Sequence, residues 1–366
     1  MALRVLQVYR TFFPESQGGL EEAIFQIAKN TRICGVECIV LVPHNAGEKR
    51  FDYQGVSVQT YKRHGEVASC DWSATALPIF RRMFEWADLI NFHFPWPFAD
   101  LMILLADIRK PYVVTYHSDI VRQKVLMLAY KPLMYRMLKG AQRLVATSPS
   151  YAQSSPVLRR YDQKVSVIPL GLSEPKEFET RSIRLFNLTR PFILFVGVLR
   201  YYKSLEYLIQ AAQGSAFDVV IAGDGPERKR LEGLADSQGV KNVTFLGQVT
   251  DQEKYSLYHY CSAVVLPSAE RSEAFGVTLI EGAMCSKPLI SCEIGTGTSY
   301  VNLDGITGVV VKKKSAKALR DAIESIVFSE GVIKRYGVAA RRRYENLFSG
   351  DALGLKYAEL YRSLLN

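Results

Sequence analysis

The chain has 366 residues, 48% apolar and 22% charged, which is globular composition and length enough for two domains. Its net charge of +10 predicts an anionic partner, without deciding between nucleic acid, an acidic membrane face and a phosphorylated small molecule. No apolar run reaches the roughly 18 residues of a membrane-spanning helix, and the amino terminus lacks a signal-peptide pattern. With six scattered cysteines and no CxxC pair, we expect a cytoplasmic protein with reduced thiols.

Short apolar segments alternate with longer helical patterns along the chain, which is typical of parallel βαβ units. In the first half, strands are predicted at 4–9, 36–42, 56–61, 88–92, 112–116, 143–147 and 165–168. In the second half, they are predicted at 192–196, 218–222, 243–246, 262–266, 288–291 and 308–311. The pattern therefore predicts an α/β protein with two doubly wound domains in tandem.

A polar segment at 173–190 without periodicity is the best candidate for a linker between the domains. It divides an N-terminal domain, 1–172, from a C-terminal domain, 191–349. The remaining segment, 350–366, predicts a helix with no strand after it, and we expect it to pack back on the first domain. Ligands of open parallel sheets bind outside the carboxyl ends of the strands, so two such sheets facing each other would form a cleft between the domains.

Two loops at predicted strand ends are candidates for binding an anion. Gly18 and Gly19 open a helix whose free N–H groups could face an anion, although a plain strand-to-helix turn explains them equally well. Arg200 and Lys203 lie three residues apart at a helix entry, where two cations could hold a diphosphate. The alternative for this pair is a set of solvated surface charges.

Gly223 begins a Gly-Asp-Gly-Pro turn whose signal is mostly structural, although a glycine there would also let a nucleotide base approach the backbone. The segment EAFGVTLIE, 273–281, places two glutamates eight positions apart around Gly276. Gly276 would start a helix in which Glu281 lies about one turn further on, on the face turned toward the cleft. Carboxylates accept hydrogen bonds from hydroxyl groups, so this segment predicts a site for a sugar and a ribose.

These motifs together, with VGVLRYYKSLEYLI and IAGDGPE before the two glutamates, resemble the family 4 retaining glycosyltransferases of the GT-B fold. The resemblance covers essentially the whole second domain and, more weakly, the first. With the GG pair and YHSDIVRQK, it is greatest to the bacterial mannosyltransferase-like enzymes that build O-antigen and exopolysaccharide chains. It implies two facing Rossmann-like domains, the first for the acceptor and the second for a nucleotide-sugar.

The resemblance implies a role for each motif. Glu281 would bind the nucleotide ribose and Glu273 the transferred sugar, while Arg200 and Lys203 would clamp the diphosphate. His117, at the end of a predicted strand, matches the family histidine that contacts the donor sugar; taken alone, a histidine there is more often structural.

The backbone groups of three consecutive residues would face the sugar and the phosphates: Phe275, Gly276 and Val277. Gly18 and Gly19 would meet the donor phosphate or the acceptor. The chain departs from the family where Val198 stands in place of a frequent arginine, whose role Arg200 would have to assume. A second departure is Ser204, which replaces the usual glycine after the clamp lysine.

No Asp-x-Asp motif and no metal-ligand spacing occur in the sequence, so we expect metal-independent transfer without a cofactor. The family implies retention of the anomeric configuration. No carboxylate is placed as the nucleophile of a double displacement, which favours same-face attack assisted by the departing diphosphate.

The segment 120–143 carries six basic residues and no acidic one among Leu, Met and Tyr. It suits the anionic inner face of a bacterial inner membrane and equally a cationic helix that covers a sheet. His93 lies among aromatic residues, and either an acceptor site or packing explains it.

The best-supported function is transfer of a sugar, preferably mannose from GDP-mannose, to a lipid-linked glycan acceptor. GDP-rhamnose or a UDP-sugar is the alternative donor. A nucleotide-sugar 2-epimerase would need acid and base carboxylates in the first domain, and none are found. A nucleic-acid-binding protein would explain the positive charge, but the basic residues are dispersed and no such module is present, so no nucleic-acid partner is expected.

Overall fold

The computed structural model describes residues 2–67, 70–106, 109–120, 124–175 and 190–365. The chain divides into two compact units, the first formed by Met1–Ser173 with Gly350–Asn366 and the second by Glu174–Ser349. Of the predicted linker, 176–189 lies outside the described residues.

The strands and helices alternate along both units. The strands are β1 (Leu3–Val8), β2 (Val36–His44), β3 (Arg50–Tyr53), β4 (Val56–Lys62), β5 (Gly65–Val67), β6 (Cys70–Trp72), β7 (Leu89–Phe94), β8 (Tyr112–Tyr116), β9 (Arg143–Ala146), β10 (Val165–Val167), β11 (Phe192–Val196), β12 (Asp218–Ala222), β13 (Val243–Gly247), β14 (Ala263–Leu266), β15 (Leu289–Glu293) and β16 (Gly308–Lys312). The helices are α1 (Gly19–Ile33), α2 (Ala76–Trp86), α3 (Pro97–Leu105), α4 (Lys124–Gly140), α5 (Pro149–Ser154), α6 (Leu205–Ala212), α7 (Arg228–Ser237), α8 (Asp251–Tyr260), α9 (Val277–Met284), α10 (Thr298–Val301), α11 (Ala316–Val327), α12 (Glu330–Arg343) and α13 (Gly350–Ser363). Short 3-10 turns at Leu158–Lys164 and Tyr201–Lys203 and a π turn at Tyr344–Phe348 complete the pattern.

An eight-stranded sheet forms the centre of the first unit, in the order β10-β9-β8-β7-β1-β2-β4-β3. Its strands pair in parallel except β3, which pairs antiparallel with β4 at the edge. Strands β5 and β6 form a separate antiparallel hairpin.

The last helix, α13, belongs to the first unit and packs against α1. Two glycines let the helices approach closely, because a Cβ on Gly354 would lie 2.5 Å from the carbonyl oxygen of Asn30 and one on Gly350 would lie 2.6 Å from Asn30 Oδ1. Tyr357 and Tyr361 are thereby fully buried.

The second unit has a six-stranded parallel sheet in the order β13-β12-β11-β14-β15-β16. Every residue of β11 and β14 is buried, as expected for central strands covered on both faces. Such strands appear in the sequence as continuous apolar runs.

Each of the thirteen strands predicted from the sequence overlaps a strand of the structure. The prediction missed β3, β5 and β6. These three strands are three or four residues long and each contains at least one charged residue. Each also pairs antiparallel at an edge or in a hairpin, where no apolar run is required.

Both sheets contain a point where the strand order reverses. In the first unit it lies between β1 and β7, and in the second between β11 and β14. In doubly wound sheets the ligand binds outside the carboxyl ends of the strands at this reversal. The fold therefore directs attention to the loops that follow these four strands.

Candidate active site

The loop after β11 is held by the loop after β12. Gly197 N donates to Ala222 O at 3.0 Å and Leu199 N donates to Asp224 O at 2.9 Å. A Cβ on Gly223 would lie 2.1 Å from Gly197 O, and the φ of Gly223 is +133°, so only glycine fits. Gly223 is therefore required by the packing of two backbones, whatever ligand lies nearby.

Arg200 and Lys203 flank a single 3-10 turn, and their side chains have different environments. Arg200 is exposed, and its guanidinium forms no ion pair with the described residues. Lys203 is buried. Ser204 follows in the left-handed conformation, with φ 52° and ψ 39°, which glycine adopts at lower cost than serine.

The ammonium of Lys203 forms an ion pair with Glu273, which lies in the loop after β14. Glu273 is 8% exposed, and its Oε2 also accepts a hydrogen bond from Ser268 Oγ at 3.0 Å. Burial is the largest single influence and lowers the pKa of Lys203, but the charge and hydrogen bond of Glu273, together with nearby Tyr202, raise that pKa above its ordinary value. The structure thus joins a predicted diphosphate ligand and a predicted sugar ligand in one buried pair.

The turn at 275–277 leads from this pair into α9. Gly276 adopts φ 87°, and a Cβ there would lie 2.8 Å from Leu266 Cδ2. The backbone N–H groups of Phe275, Gly276 and Val277 donate to no acceptor within the described part of the chain. The Phe275 side chain is buried against Phe348, so only its backbone is available to a ligand.

Glu281 lies in α9 between two side chains of α8. Its Oε1 pairs with Lys254 Nζ at 3.0 Å and its Oε2 accepts a hydrogen bond from Tyr258 OH at 2.7 Å. Burial opposes the charge of Lys254, but Glu281 raises the pKa of that ammonium, and burial with the Glu281 charge raises the pKa of Tyr258 well above its ordinary value. Glu281 is therefore held in a fixed orientation beside a permanent positive charge.

The sequence analysis missed Lys254 and Tyr258. The available signal was their spacing, because residues four apart share one face of a helix, here the helix that leads into β14. Nothing in the sequence indicated that this face would lie against Glu281.

In the first unit, Gly18 and Gly19 lie where α1 begins, as predicted. A Cβ on Gly18 would lie 2.8 Å from Glu21 Oε2, and Glu21 Oε1 accepts a hydrogen bond from Ser16 Oγ at 2.6 Å. With Glu22 also in the first turn, this helix start already carries two acidic residues.

His117 follows β8 and is buried. Its Nε2 lies 2.8 Å from His93 Nδ1, and His93 Nε2 lies 2.9 Å from Gln7 Oε1. Burial lowers the pKa of His117 to about 3, and burial with the nearby His117 lowers the pKa of His93 well below its ordinary value. Both imidazoles are neutral at physiological pH.

Comparison with known proteins identifies the chain. A model of "Glycosyltransferase Family 4" matches residues 17–176, and one of "Glycosyl transferases group 1" matches residues 176–343. The chain is 41% identical over 368 residues to the O-antigen chain mannosyltransferase C of Escherichia coli, with 99% of both chains covered. The chain belongs to glycosyltransferase family 4.

The glycosyltransferase is also 43% identical to the D-rhamnosyltransferase WbpZ of Pseudomonas aeruginosa, over 95% of this chain and 92% of that one. Its fold matches sucrose-phosphate synthase of Thermosynechococcus elongatus with a TM-score of 0.80, at 21% identity over 99% of both chains. It matches Anabaena HepE, solved with UDP and glucose, with a TM-score of 0.76, at 18% identity over 99% of this chain and 100% of that one. The predicted GT-B fold is confirmed, and the enzyme class is glycosyl transfer rather than epimerisation or nucleic-acid binding.

In the glycosyltransferase, Val198 is 40% exposed and Arg200 is the first cation after β11. Within the described ranges, no group of three or more His, Cys, Asp and Glu side chains is arranged to hold a metal ion. None of the described helices combines the length and the hydropathy needed to cross a bilayer.

Proposed function

We propose that this glycosyltransferase transfers mannose from GDP-mannose to a lipid-linked glycan in O-antigen or exopolysaccharide synthesis. Two relatives above 40% identity, named as an O-antigen chain mannosyltransferase and a D-rhamnosyltransferase, support this donor class. Rhamnose is 6-deoxymannose, so the two sugars differ by one hydroxyl group. GDP-rhamnose is therefore the second candidate donor.

The observation that carries the proposal is the grouping around α9. Two glutamates, each held by a lysine, flank a turn whose N–H groups are free within the described chain. Glu281 suits the two hydroxyls of a ribose, and Glu273 suits the transferred sugar. The free N–H groups at a helix start suit a diphosphate between them.

Arg200 is the cation available to the diphosphate, because Lys203 is already neutralised by Glu273. Lys203 then acts mainly on Glu273, whose carboxylate it orients beside the sugar. In this proposal Arg200 takes the role of the family arginine that Val198 replaces.

Gly18 and Gly19 fit the acceptor better than the donor phosphate. The carboxylates of Glu21 and Glu22 already occupy the start of α1 and would repel a phosphate there. A glycan acceptor brings hydroxyl groups, which carboxylates bind well.

The proposed reaction retains the anomeric configuration by attack on the same face. The bond between the sugar C1 and the phosphate oxygen breaks, and the acceptor oxygen bonds to C1 on the face that the phosphate leaves. The acceptor proton passes to the departing phosphate oxygen. Arg200 and the N–H groups of 275–277 stabilise the negative charge of the leaving group, which is the role a divalent ion has in other transferases.

A donor screen in the presence of EDTA tests both the donor and the metal independence. We expect GDP-mannose to raise Tm and to support transfer, with UDP-glucose doing neither and added Mg²⁺ changing neither result. A donor at a hundredfold excess over its Kd stabilises the native state by about 2.7 kcal/mol, which a thermal shift detects. Transfer from UDP-glucose alone would contradict the donor assignment, and transfer restored only by Mg²⁺ would contradict the metal-free mechanism.

The α3 and α4 helices form the surface that we propose lies on an anionic membrane, at the inner face of the inner membrane. Four leucines on these helices are 38% to 68% exposed: Leu101, Leu104, Leu105 and Leu128. Lys131, Arg136 and Lys139 on α4 are exposed as well. Of the basic segment predicted at 120–143, 121–123 lies outside the described residues. Exposed apolar and basic side chains on two helices in contact suit the boundary of an acidic bilayer.

Flotation with vesicles containing phosphatidylglycerol tests this surface. Lys131→Glu with Lys139→Glu is expected to weaken binding at least tenfold, at about 1 kcal/mol for each basic residue near the surface. The control, Lys312→Glu with Lys313→Glu, makes the same charge change at two exposed lysines of the second unit and should leave binding unchanged. Equal losses of vesicle binding in the two variants would show that net charge, and not this particular surface, accounts for the binding.

A further inference from the structure

A row of buried polar side chains crosses three neighbouring strands and reaches His117 through His93. Gln7 lies in β1, Asn91 and His93 in β7, and Thr115 in β8, and each is at most 1% exposed. Strand interiors of a parallel sheet are normally apolar, so four polar residues here need a reason.

The amide groups in this row have a fixed orientation. Asn91 Nδ2 donates to Gln7 Oε1 at 2.9 Å and to Tyr361 OH at 3.0 Å, and Gln7 Nε2 donates to Tyr361 OH at 3.2 Å. Asn91 Oδ1 accepts from Thr115 Oγ1 at 2.9 Å.

The opposite orientation is unfavourable. Reversing the amides of both Asn91 and Gln7 would place two carbonyl oxygens against the Tyr361 hydroxyl. That hydroxyl has a single hydrogen and could donate to only one of them. Reversing one would bring two donors or two acceptors together between Asn91 and Gln7. The hydrogen bonds of the row therefore specify one arrangement.

This arrangement determines which ring nitrogens carry protons. Since Gln7 Oε1 is an acceptor, His93 Nε2 carries the hydrogen of that contact. A neutral His93 then has a bare Nδ1, so the contact with His117 requires a hydrogen on His117 Nε2. His117 Nδ1 is left with a lone pair, and it makes no hydrogen bond to the residues that the structure describes.

We propose that Gln7 and His93 are positioning residues that hold His117 as its Nε2–H tautomer, so that His117 Nδ1 accepts a hydrogen bond from a hydroxyl of the transferred sugar. The sugar part of this inference rests on the proposed function, whereas the tautomer does not. His117 then selects for a hydroxyl donor and transfers no proton. Tyr361 of α13 closes the row, which links α13 to His117 through Gln7 and His93.

The tautomer can be measured without any substrate. Long-range ¹H–¹⁵N correlation spectra of the ¹⁵N-labelled enzyme at pH 7 distinguish protonated from bare ring nitrogens, and the chain has only five histidines to assign. Spectra of His93→Gln and His117→Gln variants identify the two signals. We expect a protonated Nε2 and a bare Nδ1 for His117. A protonated Nδ1, or an imidazolium, would overturn the proposal.

Substitution of Gln7 tests whether the row acts on transfer. Gln7→Leu removes the acceptor for His93 and is expected to lower kcat at least tenfold, as expected for about 1.4 kcal/mol of lost interaction. Gln7→Glu keeps an acceptor at the same place and should retain most of the activity and the His117 tautomer. Equal losses in both variants, with the wild-type tautomer kept in both, would contradict a positioning role.

These outcomes separate the inference from the donor assignment. If no GDP-sugar supports transfer while His117 shows a bare Nδ1, the donor is wrong and the tautomer stands. If transfer from GDP-mannose occurs while His117 Nδ1 carries a proton, the donor assignment stands and the tautomer proposal is wrong.

Discussion

Lys203→Met and Glu273→Gln, made separately, are each expected to destabilise the enzyme by about 3–5 kcal/mol and to lower kcat about 100-fold or more. Each single change leaves the other charge largely buried without its partner, because both side chains are only 11% exposed. The expected loss of transfer has a separate cause: in the proposed site the Glu273 carboxylate is beside the transferred sugar, where positive charge develops as the bond to phosphate breaks. Urea unfolding and initial rates measure the two effects.

The double variant, Lys203→Met with Glu273→Leu, separates stability from catalysis. Removing both charges of a buried pair is often nearly neutral for stability, so we expect unfolding close to wild type and transfer still lost. Lys317→Met is the matched control, since it breaks an exposed pair with Asp321 and should leave stability close to that of the wild type. A double variant that regained transfer would show that the pair is only structural.

The contribution of this pair to stability should be constant at neutral pH. Because the folded pKa of Lys203 is raised, its stabilisation is fully present below the ordinary lysine value of 10.5 and is lost only as pH rises through the folded value. Unfolding measured from pH 6 to pH 9 should therefore show no change that depends on Lys203.

Glu281→Gln is expected to remove the preference of the enzyme for a ribose over a deoxyribose. The wild type should bind GDP at least tenfold more tightly than 2′,3′-dideoxy-GDP, since a hydrogen bond to a charged group contributes about 1.5–3 kcal/mol. Calorimetric titration of both nucleotides into both proteins measures this preference. An unchanged preference in Glu281→Gln would place the ribose elsewhere.

Tyr258→Phe and Lys254→Met should each reduce the preference for GDP over dideoxy-GDP, although neither side chain is proposed to contact the nucleotide. Each removes one of the two groups that orient the Glu281 carboxylate. We expect affinity for dideoxy-GDP to stay the same while affinity for GDP falls, which a general loss of folding would not produce. Lys317→Met again serves as the control.

The sequence was sufficient to predict thirteen of the sixteen strands that the structure describes and to indicate candidate ligands, because both signals are local. Buried parallel strands are continuous apolar runs, and the segment 273–281 carries its two glutamates and its glycine within one turn and one helix. Short polar strands such as β3 lack such a signal.

The pairing of these residues could not be predicted, because it depends on strand order. Lys203 meets Glu273 across 70 residues only because β11 lies next to β14. His93 meets His117 because β7 lies next to β8, and Tyr361 reaches Gln7 across 354 residues through the packing of α13 on α1. Polar residues inside otherwise apolar strands, such as Gln7 and Asn91, were the signal that was available and overlooked.

A crystal structure of the enzyme with bound GDP tests the central claim most directly. We predict that the ribose hydroxyls lie within hydrogen-bond distance of Glu281, and that the diphosphate lies against the N–H groups of 275–277 and the Arg200 guanidinium. A nucleotide bound with its ribose away from Glu281 and its phosphates away from that turn would contradict the account.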